Sequence, residues 1–202
     1  MLRQCFCINS YRVLDAKYVQ YLPLLAMIDG GLAKGRLRLA IEGGSASGKT
    51  TLAALLQSVY GCAVVHTDDF FLQPSQRTAD RLSQPGGNLD RERLLEEVLV
   101  PLSKGQSVFY RPFYCATMTL GQREELPETP LTVIEGAYSM HPELSDYYDL
   151  SVFLEVSPEE QARRIDQRNS PLMARRYLNE WIPMERRYFE SFDIKKCCDL
   201  VL

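Results

Sequence analysis

Apolar residues follow two rhythms along this chain. Short runs of strand length read as buried strands: Leu37-Arg38-Leu39-Ala40-Ile41, Cys62-Ala63-Val64-Val65-His66, Leu131-Thr132-Val133-Ile134, Leu150-Ser151-Val152-Phe153-Leu154-Glu155-Val156 and Cys198-Asp199-Leu200-Val201-Leu202. Between them apolar positions recur at helical spacing. Leu52, Leu55, Leu56 and Val59 follow the first run; Leu94, Leu95, Val98 and Leu99 follow Asp90, which reads as a helix cap, with Pro101 near the end. After the fourth run a helix has a full start signal, with Ser157 as cap, Pro158 in the first turn and Glu160 as capping-box partner. Ser170-Pro171 opens another helix, whose expected buried positions are Leu178, Trp181, Tyr188 and Phe192, with Pro183 interrupting it. Strands alternating with helices predict an α/β fold of three layers, α/β/α, with a parallel sheet between helices.

Residues 1–36 read as an N-terminal helical extension in which Tyr18, Tyr21, Leu22, Leu25, Ile28 and Leu32 share one face. Pro23 either kinks that helix or starts a second one, and Gly30-Gly31 and Gly35 are expected to loosen the chain. The expected role is packing against the sheet, with a homo-oligomer contact as the alternative. Residues 37–202 form the main domain. From Gln73 to Gly87 the composition turns polar, with Pro74, Pro85 and Gly86-Gly87, as in a loop that covers a pocket. Val108 to Tyr114 is aromatic and β-prone, and Leu120 to Pro130 is a polar excursion; together they read as a small lobe beside the sheet.

Composition narrows the class. The 202 residues are 46% hydrophobic, which suits one core. A net charge of −3, from 23 basic and 26 acidic residues, leaves no electrostatic footprint for a nucleic acid polymer. Cys5, Cys7, Cys62, Cys115, Cys197 and Cys198 show no metal or redox spacing and read as free thiols of a reducing compartment. The most apolar tract, Tyr21 to Ile28, is far short of the ~20 residues that cross a bilayer, and no secretion signal is evident. The expectation is a cytoplasmic protein with no membrane partner.

The chemistry centres on Gly43-Gly44-Ser45-Ala46-Ser47-Gly48-Lys49-Thr50-Thr51, which matches G-x-x-x-x-G-K-[ST] between a strand and a helix. Glycines there let backbone N–H groups point at a phosphate chain, and the following helix adds its positive end. Lys49 would reach the β- and γ-phosphates and Thr50 would hold Mg²⁺. Asp68 and Asp69 close the second run and Glu135 the third, at strand ends where ligands of open parallel sheets bind. The alternative for the aspartates is a solvated turn or cap. A buried Glu135 beside a triphosphate is favourable only with Mg²⁺ and its waters. Arg163, Arg164 and Arg168 ride the helix after the fourth run, placed to neutralise a transferring phosphate. His66 reads as structural, and Arg111 as a substrate contact or a surface ion pair. The N-K-x-D segment of a GTP switch and the L-S-G-G-Q segment of an ABC-type ATPase are absent from the sequence.

Together, Gly43 to Thr51, Asp68-Asp69-Phe70-Phe71, Ile134-Glu135-Gly136 and the Arg163/Arg164/Arg168 helix resemble the uridine kinase family of P-loop kinases, and nicotinamide riboside kinases share the pattern. The resemblance runs from about Leu37 to the C-terminus and implies a P-loop NTPase-type fold. It further implies an ATP- and Mg²⁺-dependent phosphotransferase with an alcohol group as acceptor, most simply the 5′-hydroxyl of uridine or a related nucleoside; the alternatives are a kinase of a non-nucleoside alcohol and a nucleotide-binding regulator with ATPase activity and no small-molecule acceptor. In that reading Lys49 and Thr50 bind phosphates and Mg²⁺, and Asp68 is the general base and a metal neighbour, with Asp69 beside it. Glu135 holds the Mg²⁺ shell, and Arg164 and Arg168 close as a lid. Tyr114 would pack on the base and Asp90 would meet ribose hydroxyls. Where uridine-cytidine kinases place a base-reading histidine, this chain has Thr117, Met118 and Thr119.

Overall fold

A computed structural model describes residues 15–202. Its main sheet holds β1 (Leu37–Gly43), β2 (Ala63–His66), β7 (Leu131–Glu135), β8 (Leu150–Leu154) and β9 (Leu200–Val201) in the order β2-β7-β1-β8-β9, with every pair parallel. The lobe between β2 and β7 is made of β3 (Phe109–Tyr110), β4 (Phe113–Tyr114), β5 (Thr119–Leu120) and β6 (Glu124–Glu125), paired antiparallel as β3 with β6 and β4 with β5. The helices are α1 (Leu22–Leu32), α2 (Lys49–Tyr60), α3 (Ala79–Ser83), α4 (Arg91–Leu94), α5 (Val100–Ser103), α6 (Pro158–Arg168), α7 (Pro171–Arg176), α8 (Ile182–Ser191) and α9 (Ile194–Cys197).

Central strands of a parallel sheet are covered on both faces, and β7 and β8 are buried throughout their length. One apolar layer joins Leu39, Ile41, Val133 and Val152 to Leu52, Leu55 and Leu56 of α2 and to Leu24, Leu25 and Ile28 of α1. The other joins Ala40, Val65, Ile134 and Phe153 to Phe70, Leu94, Val98, Tyr138 and Tyr188. The described part of the extension, residues 15–36, therefore packs against the sheet. Pro23 lies in the first turn of α1, which starts a new helix after a 3-10 turn, Ala16–Tyr21. Gly30 and Gly31 do not loosen the chain: they lie within α1, and Leu22 is half exposed while Leu24 is buried.

Two further expectations need correction. The helix after Ser170 is not broken at Pro183; it passes through a π-turn, Tyr177–Trp181, and Pro183 falls in the first turn of α8, where its missing N–H costs nothing. The extra residue of the π-turn rotates the apolar stripe, so Leu178 is exposed and Ile182, Glu185 and Tyr188 face inward. The capping box of α6 is half made: Ser157 Oγ accepts from the Glu160 amide, but the Glu160 carboxylate pairs with Arg163 and Arg164. Cys62, Cys115, Cys197 and Cys198 are free thiols, while Cys5 and Cys7 lie outside the described residues. Among the described residues no helix is long and apolar enough to cross a membrane.

Candidate active site

Register brings the acids together. Glu135 pairs across the sheet with both Ile41 and His66, so the ends of β1, β7 and β2 lie side by side where the glycine turn leaves β1. That turn uses the left-handed region three times, at Gly43 (φ 146°), Ala46 (φ 62°) and Gly48 (φ 107°). At Gly43 glycine is obligatory for a second reason, since a Cβ would stand 2.6 Å from the Leu154 carbonyl oxygen.

Lys49 Nζ curls back to donate to the carbonyls of Gly43 (2.8 Å) and Gly44 (2.9 Å), and Ser47 Oγ is buried without a partner. The ammonium is met only by neutral dipoles among these bonds, so a phosphate is a better partner than either carbonyl. Thr50 Oγ1 donates to Glu135 Oε1 (3.0 Å), and the same oxygen meets His66 Nδ1 at 2.6 Å. This bond to Glu135 raises the His66 pKa above its ordinary value, against the opposing effect of burial. His66, read from the sequence as structural, therefore touches a proposed metal-shell acid. Strand register was the missing signal.

Asp68 is the second residue of the 3-10 turn, Thr67–Phe70, that follows β2. Its side chain is exposed to solvent, yet partial desolvation by the neighbouring protein raises its pKa; Lys49 pulls it down, Glu135 pushes it up, and His66 and Arg168 pull it down. Asp69 is raised by burial as well. In the β4–β5 turn, burial raises the Cys115 thiol pKa and the charges of Asp68 and Asp69 add to it.

The loop is held from outside by the returning helices. Gln161 Nε2 donates to Ser45 O (2.8 Å), Arg164 Nη1 donates to Ala46 O (3.0 Å), and Glu185 accepts from the Ser45 amide (2.9 Å) and hydroxyl (2.5 Å). Arg164 is thus already on the loop, whereas Arg168 lies over the Tyr177 ring at 5.3 Å. Arg163 pairs with Glu160 on the exposed side.

The remaining candidates lie further out. Asp90 is 2% exposed and caps α4; its carboxylate accepts from the Arg93 amide and from Gln76 Nε2. Arg111 donates to the Gly121 carbonyl and straps the β4–β5 hairpin, on which Tyr114 stands 51% exposed. Arg93, which sequence reasoning missed, ties the region together: it stacks on Phe70 at 4.4 Å and donates to the carbonyls of Asp69 and Arg111.

The donor set fits nucleotide and metal. Left-handed glycines, an ammonium on neutral carbonyls and an orphaned Ser47 hydroxyl suit a phosphate chain. Among the described residues no three His, Cys, Asp or Glu side chains form a ready-made ion cage. The hard oxygens of Thr50, Asp68 and Glu135 suit Mg²⁺ that keeps waters and phosphate oxygens as its other ligands.

Comparison with known proteins bears on this arrangement. No family model matches the chain. Human nicotinamide riboside kinase 2 is 33% identical over 142 residues, 66% of this chain and 58% of that protein. A Bacillus stearothermophilus structure described as a possible uridine kinase superposes with a TM-score of 0.64 at 21% identity, covering 90% of this chain and 100% of that one. A candidate fructose transport system kinase from Silicibacter sp. TM1040 gives 0.63 at 24% identity, covering 89% and 98%. The chain therefore has the three-layer α/β fold of these solved P-loop kinases, and it spans less than two thirds of the length of the curated relative it matches.

Proposed function

We propose that this chain is an ATP- and Mg²⁺-dependent small-molecule kinase that transfers the γ-phosphate to a hydroxyl of a nucleoside-like acceptor. The observation that carries the reading is the meeting, at one sheet edge, of Lys49, the Thr50–Glu135–His66 chain and Asp68. When bound, Mg²⁺ would supply positive charge that offsets the charge developing on the transferring phosphate. Lys49 exchanges its two carbonyl partners for phosphate oxygens. Thr50, Glu135 and Asp68 would hold the metal. Asp68, with its raised pKa, accepts the acceptor's hydroxyl proton as the new O–P bond forms and the bond to ADP breaks. Arg164 stands at the loop and Arg168 one turn along, where closure of α6 and α7 brings both onto the transferring group.

Uridine is one acceptor this reading favours, and nicotinamide riboside is the other, because the 33% identical relative is named for it. The β4–β5 turn carries Thr117 and Met118 beside Tyr114, so the base would meet an aromatic face without a histidine. The test is ADP release with each of uridine, cytidine, nicotinamide riboside, pantothenate and simple sugars, with products weighed by mass spectrometry. Turnover with a ribonucleoside supports the reading. Turnover confined to a non-nucleoside alcohol replaces the acceptor, and acceptor-independent hydrolysis removes the kinase assignment.

A further inference from the structure

Glu42 sits one residue ahead of the phosphate loop and has no part in the mechanism above. It is 0% exposed, at the end of a strand whose neighbours are Ile41 and Gly43. Its carboxylate takes three donors from three parts of the chain: the amide of Gly43 at 2.8 Å, the amide of Met140 in the turn after β7 at 2.9 Å, and the Tyr188 hydroxyl of α8 at 3.0 Å. Gly43 cannot slide away from it, because the Leu154 backbone walls the other side. An acid is thus built in behind a loop whose work is to hold polyanions.

We propose that Glu42 is a positioning residue that sets the phosphate loop from behind, and that nucleotide binding is coupled to uptake of a proton at this carboxyl. The inference rests on the nucleotide-binding reading above. In the ionised form three donors satisfy Glu42 and pre-form the start of the loop, but its charge opposes incoming phosphates. Protonation removes that repulsion and keeps the anchor, since a protonated carboxyl still accepts. The Tyr148 hydroxyl, buried and without a hydrogen-bond partner among the described residues, feels the Glu42 charge. The other groups facing Glu42 are Lys49 on α2, Tyr188 on α8, Tyr138 in the turn after β7 and Cys198 ahead of β9. Burial raises the pKa of each tyrosine and of Cys198, leaving Glu42 and Lys49 as the charged pair. Burial pushes the Glu42 carboxyl up to about 7, and the donors with Lys49 only partly counter it. The proton is therefore exchangeable near neutral pH.

The test is calorimetric titration of the full chain with Mg²⁺ and a non-hydrolysable ATP analogue at about pH 7.5, in buffers of low and high ionisation enthalpy. Wild type should take up a substantial fraction of a proton, up to about one per nucleotide, and Glu42→Gln should take up close to none. Tyr188→Phe, which removes one donor to the ionised form, should shift the uptake to higher pH; it serves as the second variant if Glu42→Gln folds poorly. In kinetics the wild-type nucleotide KM should rise severalfold from about pH 6.5 to 8.5 and stay flat in Glu42→Gln, with the pH dependence of kcat unchanged. Binding with no proton uptake, or equal uptake in wild type and Glu42→Gln, overturns this inference alone. Absence of binding heat in all three proteins overturns it together with the nucleotide reading.

Discussion

At the scale of single residues, two adjacent aspartates sit in different electrostatic surroundings. Asp68 lies within the fields of Lys49, Glu135, His66 and Arg168, whereas Asp69 is turned toward Arg93 and the small lobe, its backbone carbonyl fixed by the Arg93 guanidinium. A positioned general base is worth about 10²- to 10⁴-fold in rate. Asp68→Asn should lower kcat by about that factor while nucleotide affinity changes little, and Asp69→Asn should lower it far less. Steady-state kinetics beside analogue titration measure both; the larger loss in Asp69→Asn would reverse the assignment. Lys49→Ala should instead weaken nucleotide binding itself, because the charge-assisted contacts to phosphate go with the ammonium. Sequence spacing alone singled out Lys49, Thr50 and the strand-end acids as candidates, since each belongs to a local pattern, and the fold brings them to one sheet edge. It missed His66, Glu42 and Glu185, whose partners lie 69, 98 and 140 residues away in the chain and become neighbours only through strand register and helix return.

At the scale of elements, the junction of β7 with its following turn sets how near Glu135 comes to β2. Gly136 has φ 145°, and a Cβ there would stand 1.8 Å from Thr67 Oγ1, the hydroxyl that donates to the Ala137 carbonyl. Gly136→Ala must push β2 and β7 apart or twist the turn, a cost of at least about 2 kcal/mol from overpacking and strained φ together. Gly105→Ala is the control: its φ is 65° but nothing lies within 4 Å of the added carbon, so only the left-handed penalty of roughly 1 kcal/mol applies. Urea melts of the two variants should therefore differ clearly, and equal losses would show that the Thr67 contact relaxes at no cost. The helices were legible where caps and periodicity agree, as for Asp90 ahead of α4 and Ser157 ahead of α6. After Ser170 Tyr188 is buried as expected but Leu178 was misread, because a π-turn ahead of Pro183 shifts the stripe by one residue.

At the scale of the whole molecule, alternation of apolar runs with helical spacing was enough for a three-layer α/β fold, while strand order and the packing of α1 into the same apolar layer as α2 depended on contacts far apart in the chain. Such contacts also place buried acids in the centre of the fold, and this has a global consequence. Glu42 is raised from the usual 4.5 to about 7, so the folded state keeps a proton that the unfolded chain releases. Its contribution is most favourable below the unfolded value and is lost as pH rises toward 7. His141 runs the other way. Burial, reinforced by the Arg91 charge, lowers it from 6.5 to about 4, so stability is lost as pH falls through that window. Between about 4.5 and 6.5 the two slopes oppose, with the raised Asp68, Asp69 and Glu185 adding to the Glu42 side. Subtracting Glu42→Gln from wild type isolates one group. The stability of the variant relative to wild type should climb by a few kcal/mol between about pH 4.5 and 7 and level off above, each pKa unit being worth about 1.4 kcal/mol. Any constant cost of losing the carboxylate's three hydrogen bonds shifts that curve without changing its slope. Urea unfolding across this range measures it, and a flat difference would mean that Glu42 is ionised in the folded protein throughout and holds the loop as a fixed charge.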